Sequence, residues 1–524
     1  MKKTVKILAC VLALVLLCLS GCGSEKQVSQ EDLEALLNQA SRQEEPAVEE
    51  PAAEEPEEPE EAAAEEPEEP AFEPKGKVEI EVDALPKEWT LTELGAAEDG
   101  QGTLTVRSDD LLVRYERDGD NKVRYYPVDH MGKTLSDQVF DDVEELLPEV
   151  YTVRAIQEGV NNTGLLLEDG EQLLDCEAAI IRCVYSTYTE QSERYLLVVY
   201  GTEETENEDE AFFYATESWF SIQPEEGDVF YKGYGKVYDL ELRRFVPELT
   251  INNADKYALH AGGSLLSYED EEGVTRLYNA DGKELYKVEG YASLDLGDSF
   301  AVVDYSTVLD EQGEVLLKSE DYWNVLDGTG RFLVSNGYGD QKTKVMDYFG
   351  NLLFELPGDH RVNRDGGGYF CGSIGEDGAL FDKDGNIVVQ VEGISSPSYE
   401  GYGIWEFYSL DSEVKTVYYL ANGTTVEADG RSAYELINEL AEPPEGEQGI
   451  LPWNAPEEPV TVPGSYPDRL TSALTLIGDR EKTLIDCFGG NILLTGKSIE
   501  FANSRYIYVE TDGGLTVYEL QPAY

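Results

Sequence analysis

Apolar residues along this 524-residue chain come in short runs, broken at near-regular intervals by a polar turn that contains glycine. The pattern is clearest at residues 380–389, L-F-D-K-D-G-N-I-V-V, which reads as strand, tight turn, strand. Related stretches occupy 126–135, 165–174, 277–285, 308–317, 345–354, 418–426 and 484–494. They align on Gly132, Gly170, Gly282, Gly313, Gly350, Gly385, Gly423 and Gly489, and residues 237–246 fit with Leu242 in the glycine position. Most neighbouring copies lie 31 to 40 residues apart, which marks a structural repeat. The gaps from Gly170 to Leu242 and from Gly423 to Gly489 are nearly double, and insertions are expected near 202–210 and 432–467.

The turn has a physical logic. Three residues before the aligned position stands Asp129, Asp239, Asp310, Asp347, Asp382 or Asp486, with Asn279 in one further copy. A carboxylate or amide there caps backbone N–H groups, and glycine accepts the left-handed conformation that reverses the chain. Residues 195–200, 300–304 and 331–335 supply further strands, so each repeat predicts three or four. One small sheet buries a single face and does not stand alone. Sheets stacked around an axis bury both faces and limit exposed edges. The expected fold is therefore all-β, a β-propeller of about seven to eight blades over residues 78–524, with a linear β-solenoid as the alternative. Strands in 503–520 are expected to shut the ring by pairing near 104–114. The 202–210 stretch reads as a solvated acidic loop, and 432–441 has helical spacing suited to packing outside the sheets.

Composition changes this picture in one respect. The chain carries 39 basic and 107 acidic residues, net −68. Such a charge disfavours nucleic acid and anionic surfaces. Fifteen of the acids fall in residues 44–74, where the composition collapses to Glu, Pro and Ala. With no apolar face in 44–74 to offset the cost of ordering, residues 22–77 read as a disordered tether that includes a short helix at 29–42. At about 3.1 Å per residue an extended Pro-rich chain of this length reaches on the order of 150 Å.

The amino terminus is a targeting segment: Lys2, Lys3 and Lys6, an apolar run at 7–19, then Leu19-Ser20-Gly21-Cys22. This order resembles the lipobox of bacterial lipoproteins. The resemblance implies that residues 1–21 are a signal peptide and that Cys22 becomes the lipidated first residue, a membrane anchor without a spanning segment. It places the protein outside the cytoplasm, on the bacterial cell membrane; separately, a monomer is expected. Residues 164–181, G-L-L-L-E-D-G-E-Q-L-L-D-C-E-A-A-I-I, resemble the WG-type repeats of bacterial proteins, though no Trp-Gly pair occurs. That resemblance implies a repeat scaffold and brings no catalytic residue.

Candidate chemistry is sparse. Asp382, Asp384 and Asn386 open like a calcium loop, but the chain runs straight into Ile387-Val388-Val389, and a hairpin turn is the favoured reading. Residues 490–498 have one residue too many between glycines for a phosphate loop. His130, His260 and His360 share no metal-ligand spacing. Cys176, Cys183, Cys371 and Cys487 are even in number, which permits disulfides in an exported protein, yet three sit in apolar strand contexts. No cofactor is implied. The leading expectation is a non-enzymatic binding or scaffold module for an envelope protein or polysaccharide. The alternative is a carbohydrate-active enzyme using Asp and Glu in a central pocket.

Overall fold

The computed structural model describes most residues from 74 to 524. Residues 1–73, most of 429–473 and several short loops lie outside the description. The expected signal peptide, Cys22 and nearly all of the tether therefore fall outside the described residues.

Forty-one strands form eight hydrogen-bonded sheets among the described residues, six of them four-stranded and antiparallel. The other two are double. The seven-stranded sheet is two blades joined at the single pair Tyr125–Phe140. The ten-stranded sheet is two blades joined where His260 and Ala261 pair in parallel with Tyr185 and Ser186. Divided this way, the described residues form ten blades in chain order: 103–135, 140–178, 180–251, 259–289, 294–318, 324–356, 360–391, 398–427, 460–496 and 499–523.

The fold is an all-β propeller, and the packing closes it. The apolar faces of successive blades meet in clusters. Leu111, Val113, Phe140 and Val153 join the first two blades. Leu165, Ile181, Leu196 and Val198 join the next pair. The series continues through Val345, Val362 and Phe370 between the sixth and seventh blades. It ends with Leu112 and Val128 of the first blade against Tyr506, Tyr508 and Val517 of the last. Each of these faces is covered by its neighbour, which is what a twisted small sheet needs to bury both sides.

Nine aligned hairpins and ten blades are consistent. Each hairpin joins the third and fourth strands of a blade, as at Asp377–Phe381 and Ile387–Val391. The tenth blade lacks that hairpin because its fourth strand, Glu88–Ala96, comes from the other end of the chain and pairs with Gly514–Ala523. This corrects the expected closing partner: residues 104–114 instead begin the first blade. The signal lay in Trp89, which is buried between Tyr402 and Phe488 and whose backbone N–H donates to Asp486 at 2.9 Å.

The first long gap is an insertion inside the third blade, and the second falls mainly between the eighth and ninth blades. In the third blade the strand Glu190–Thr205 runs on through Thr202, so the first part of the expected acidic loop is strand; residues 207–211 lie outside the described residues. Ala433 and Leu436 are helical and buried against the eighth- and ninth-blade core.

Before the closing strand, residues 76–87 lie across blade ends. The Asn351 amide donates to the Gly76 carbonyl at 2.8 Å, and the Val78 N–H donates to Asp347 at 3.2 Å. The Asp83 N–H donates to Gly367 at 2.9 Å, and the Tyr399 hydroxyl bonds Asp83. This strap touches the sixth, seventh and eighth blades in turn before joining the tenth.

Candidate functional site

The repeated turn is structural at the atomic level. At 382–386 the Asp382 carboxylate accepts the N–H of Asp384 at 2.9 Å and of Asn386 at 2.8 Å, and the Asn386 amide donates to it as well. Burial opposes ionisation there, yet these hydrogen bonds hold the Asp382 carboxyl below its usual range. Gly385 has φ +78°, and a Cβ on it would stand 2.8 Å from the Phe354 ring. So Asp382 and Asn386 are engaged with each other and with backbone, and Asp384 supplies a backbone donor. Among the described residues no three His, Cys, Asp or Glu side chains gather as around a metal ion. The same capping recurs at Asp129, Asn279, Asp310 and Asp347. In two copies the left-handed residue is displaced by one: Arg243 rather than Leu242, and Gly490 rather than Gly489.

The buried acids are a second set. Asp295 and Asp365 sit on the innermost strands of the fifth and seventh blades. Burial pushes each up to about 6. Both tie neighbouring blades together: Asp295 accepts the Val325 N–H at 3.0 Å, and Asp365 accepts the Thr329 N–H at 3.1 Å and its hydroxyl at 2.7 Å. Carboxylates committed in this way hold inner strands in register, and they do not form the free facing pair that glycoside hydrolysis uses.

The other candidates from the sequence resolve individually. His130 lies at the ring closure, stacked on Tyr506 at 4.4 Å and bonded to Glu168 at 2.7 Å. His260 lies on the strand that joins the third and fourth blades, and His360 bonds Asp359 at 2.8 Å. Beyond those candidates, residues 366–368 form a turn pressed against the strap. Residues 492–496 are a strand. Cys176, Cys183 and Cys371 are free thiols, with burial pushing Cys183 and Cys371 up to about 12, and Cys487 lies outside the described residues.

One site escaped the sequence. Between the second and third strands of the fifth blade, Asp304 and Tyr305 have φ +50° and +57°. Among the described residues they are the one pair of consecutive non-glycine residues in the left-handed region. That conformation normally selects Asn-Gly, and a side chain there costs roughly 1 kcal/mol. The strained turn holds the Tyr305 ring against Tyr322, centroids 3.9 Å apart and planes 20° from parallel. The Tyr305 carbonyl accepts the Trp323 N–H at 2.7 Å, and the Asp304 N–H donates to Ser293 at 2.9 Å, so both partners are pinned. Trp323 itself is 1% exposed. Hydrogen bonds from Ser293 and Tyr322 hold the Tyr305 phenol below its usual range; partial desolvation, then this donation, raise Tyr322 to about 12. Tyr322 remains 58% exposed, and Asp321 beside it pairs with Lys344 at 2.6 Å. The result is a rigid aromatic platform rimmed by acids. The sequence signal was the missing glycine at a two-residue turn between strands.

No family model matches the chain, and no curated protein matches it. Solved structures that resemble it in part include BamB from Moraxella catarrhalis, at 14% identity over 62% of this chain and 98% of that one, TM-score 0.26. A eukaryotic initiation factor matches at 11% identity over 78% of this chain and 97% of that one, TM-score 0.31. The Cps50 (Swd1) β-propeller domain of Myceliophteria thermophila matches at 10% identity over 50% and 95%, TM-score 0.22. At these scores none carries an argument, and the fold rests on strand order and packing.

Proposed function

We propose that this protein is a non-enzymatic binding or scaffold module, exported and held on the outer side of a bacterial cell membrane by lipid on Cys22. In this reading residues 1–21 are removed, the acidic tether lifts the ring from the membrane, and blade-end loops meet an envelope protein or polysaccharide. The observation that carries the binding role is the platform of Tyr305 and Tyr322. It spends backbone strain to present a fixed, exposed aromatic face, which ring closure does not require. The order Lys2-Lys3, apolar run, Leu19-Ser20-Gly21-Cys22 supports the anchor. Cys22→Ala tests it: the variant should leave the membrane fraction for the soluble one. A variant that stays with the membrane would contradict the anchor while leaving the binding role standing.

A further inference from the structure

We propose that the Tyr305–Tyr322 platform binds an uncharged saccharide, with one pyranose ring stacked on the open face of Tyr322. The inference rests on the binding-module reading above and names the ligand class of that same surface.

Geometry selects the ligand. The two rings are nearly parallel, so Tyr305 backs one side of Tyr322 and the opposite side is open. A single flat, immobilised aromatic face suits a flat partner. A pyranose offers one: its axial C–H groups form an apolar face, and its hydroxyls form a polar edge. Ring rigidity matters because the side-chain entropy of ordering is already lost before the ligand arrives. Here Tyr322 is held by the stack and by the anchored backbone of Trp323.

The rim fits as well. Asp304 is exposed and Asp321 half-buried, and carboxylates accept hydrogen bonds from sugar hydroxyls. Charge then excludes alternatives. The net charge of −68 opposes acidic polymers. A quaternary ammonium ligand is recognised by an aromatic cage. Here the two rings are parallel and leave one open face.

The test is a titration of the full-length Cys22→Ala protein with chitohexaose and cellohexaose, read by tyrosine fluorescence and by calorimetry. Tetramethylammonium and the polyanion alginate are titrated alongside. Saturable binding of at least one neutral oligosaccharide is expected. Tyr322→Ala should weaken it at least about tenfold, the scale of one aromatic contact. Tyr322→Phe should keep it within about threefold, because the ring face remains. Tyr305→Gly, which relaxes the turn and preserves folding, should weaken it like Tyr322→Ala. No response to either sugar would overturn the proposal, as would equal binding by Tyr322→Ala. Saturable binding of tetramethylammonium or alginate without sugar binding would overturn it in favour of a charged ligand. None of these outcomes touches the membrane fractionation that tests the anchor.

Discussion

Two turns define what this ring is made of. The turn at 382–386 has the residues that turn geometry asks for, and its polar side chains are used to make the turn. The turn at 304–305 has an aspartate and a tyrosine where geometry asks for asparagine and glycine. In sequence the former resembles a metal loop, and it is a hairpin. The latter reads as ordinary strand-to-strand sequence, and it holds the exposed aromatic surface. A residue that agrees with its local conformation needs no further explanation. One that opposes it is held there by something else, here a stack that leaves Tyr322 facing solvent.

The largest effect should come from breaking the rule-following turn. Gly385→Val places a β-branched side chain at φ +78° and against the Phe354 ring. A loss of about 3 kcal/mol is expected in chemical unfolding. A loss under about 1 kcal/mol would mean that the turn does not depend on its glycine.

The buried acids of the fifth and seventh blades sharpen the contrast next. Asp365 titrates near 6, above its unfolded value of about 4. The folded state then holds its proton more tightly, so stability from this group is full below about pH 4 and declines as pH rises through 6. Asp295 behaves alike. Asp382 is lowered, so its contribution is present above about pH 4 and fades only as pH falls below that. Unfolding free energy should drop by on the order of 2 kcal/mol per raised group between pH 4 and pH 7. Asp365→Asn should flatten part of that slope, and an unchanged slope would remove Asp365 as its source.

Asp382→Ala should cost about 1 kcal/mol, the value of a lost backbone cap, and Asp384→Ala less than about 0.5 kcal/mol. A chelator should leave the parent's melting temperature unchanged, and a fall on chelation would revive the metal reading. The smallest stability change belongs to Tyr305→Gly. Strain relief of about 1 kcal/mol and the lost ring contact nearly cancel, so its unfolding midpoint should match the parent within error.

Much of the fold was legible because the repeat is written in local chemistry. The Asp-to-Gly spacing marks the third-to-fourth strand turn of most blades, and apolar alternation marks the strands around it. What was not legible was long-range. Nothing local says that Trp89 reaches Asp486 across 397 positions, so the closing strands in 503–520 were expected to pair near 104–114, whereas their partner is Glu88–Ala96. The blade number ran past seven or eight because two pairs of blades share hydrogen bonds and because the closing blade has no turn of its own. The candidate site was missed for a related reason. A sequence displays which residues favour a turn, whereas Tyr305 is informative only once its φ is known to be positive.

The claim that rule-following turns build the ring while the rule-breaking turn carries its function is tested most directly by one paired titration. Chitohexaose and cellohexaose are titrated into the Asp384→Ala and Tyr305→Gly variants, each first shown to unfold at the parent's midpoint. The account predicts parental saccharide binding by Asp384→Ala and at least about tenfold weaker binding by Tyr305→Gly. Loss of binding in Asp384→Ala, or its full retention in Tyr305→Gly, would contradict it.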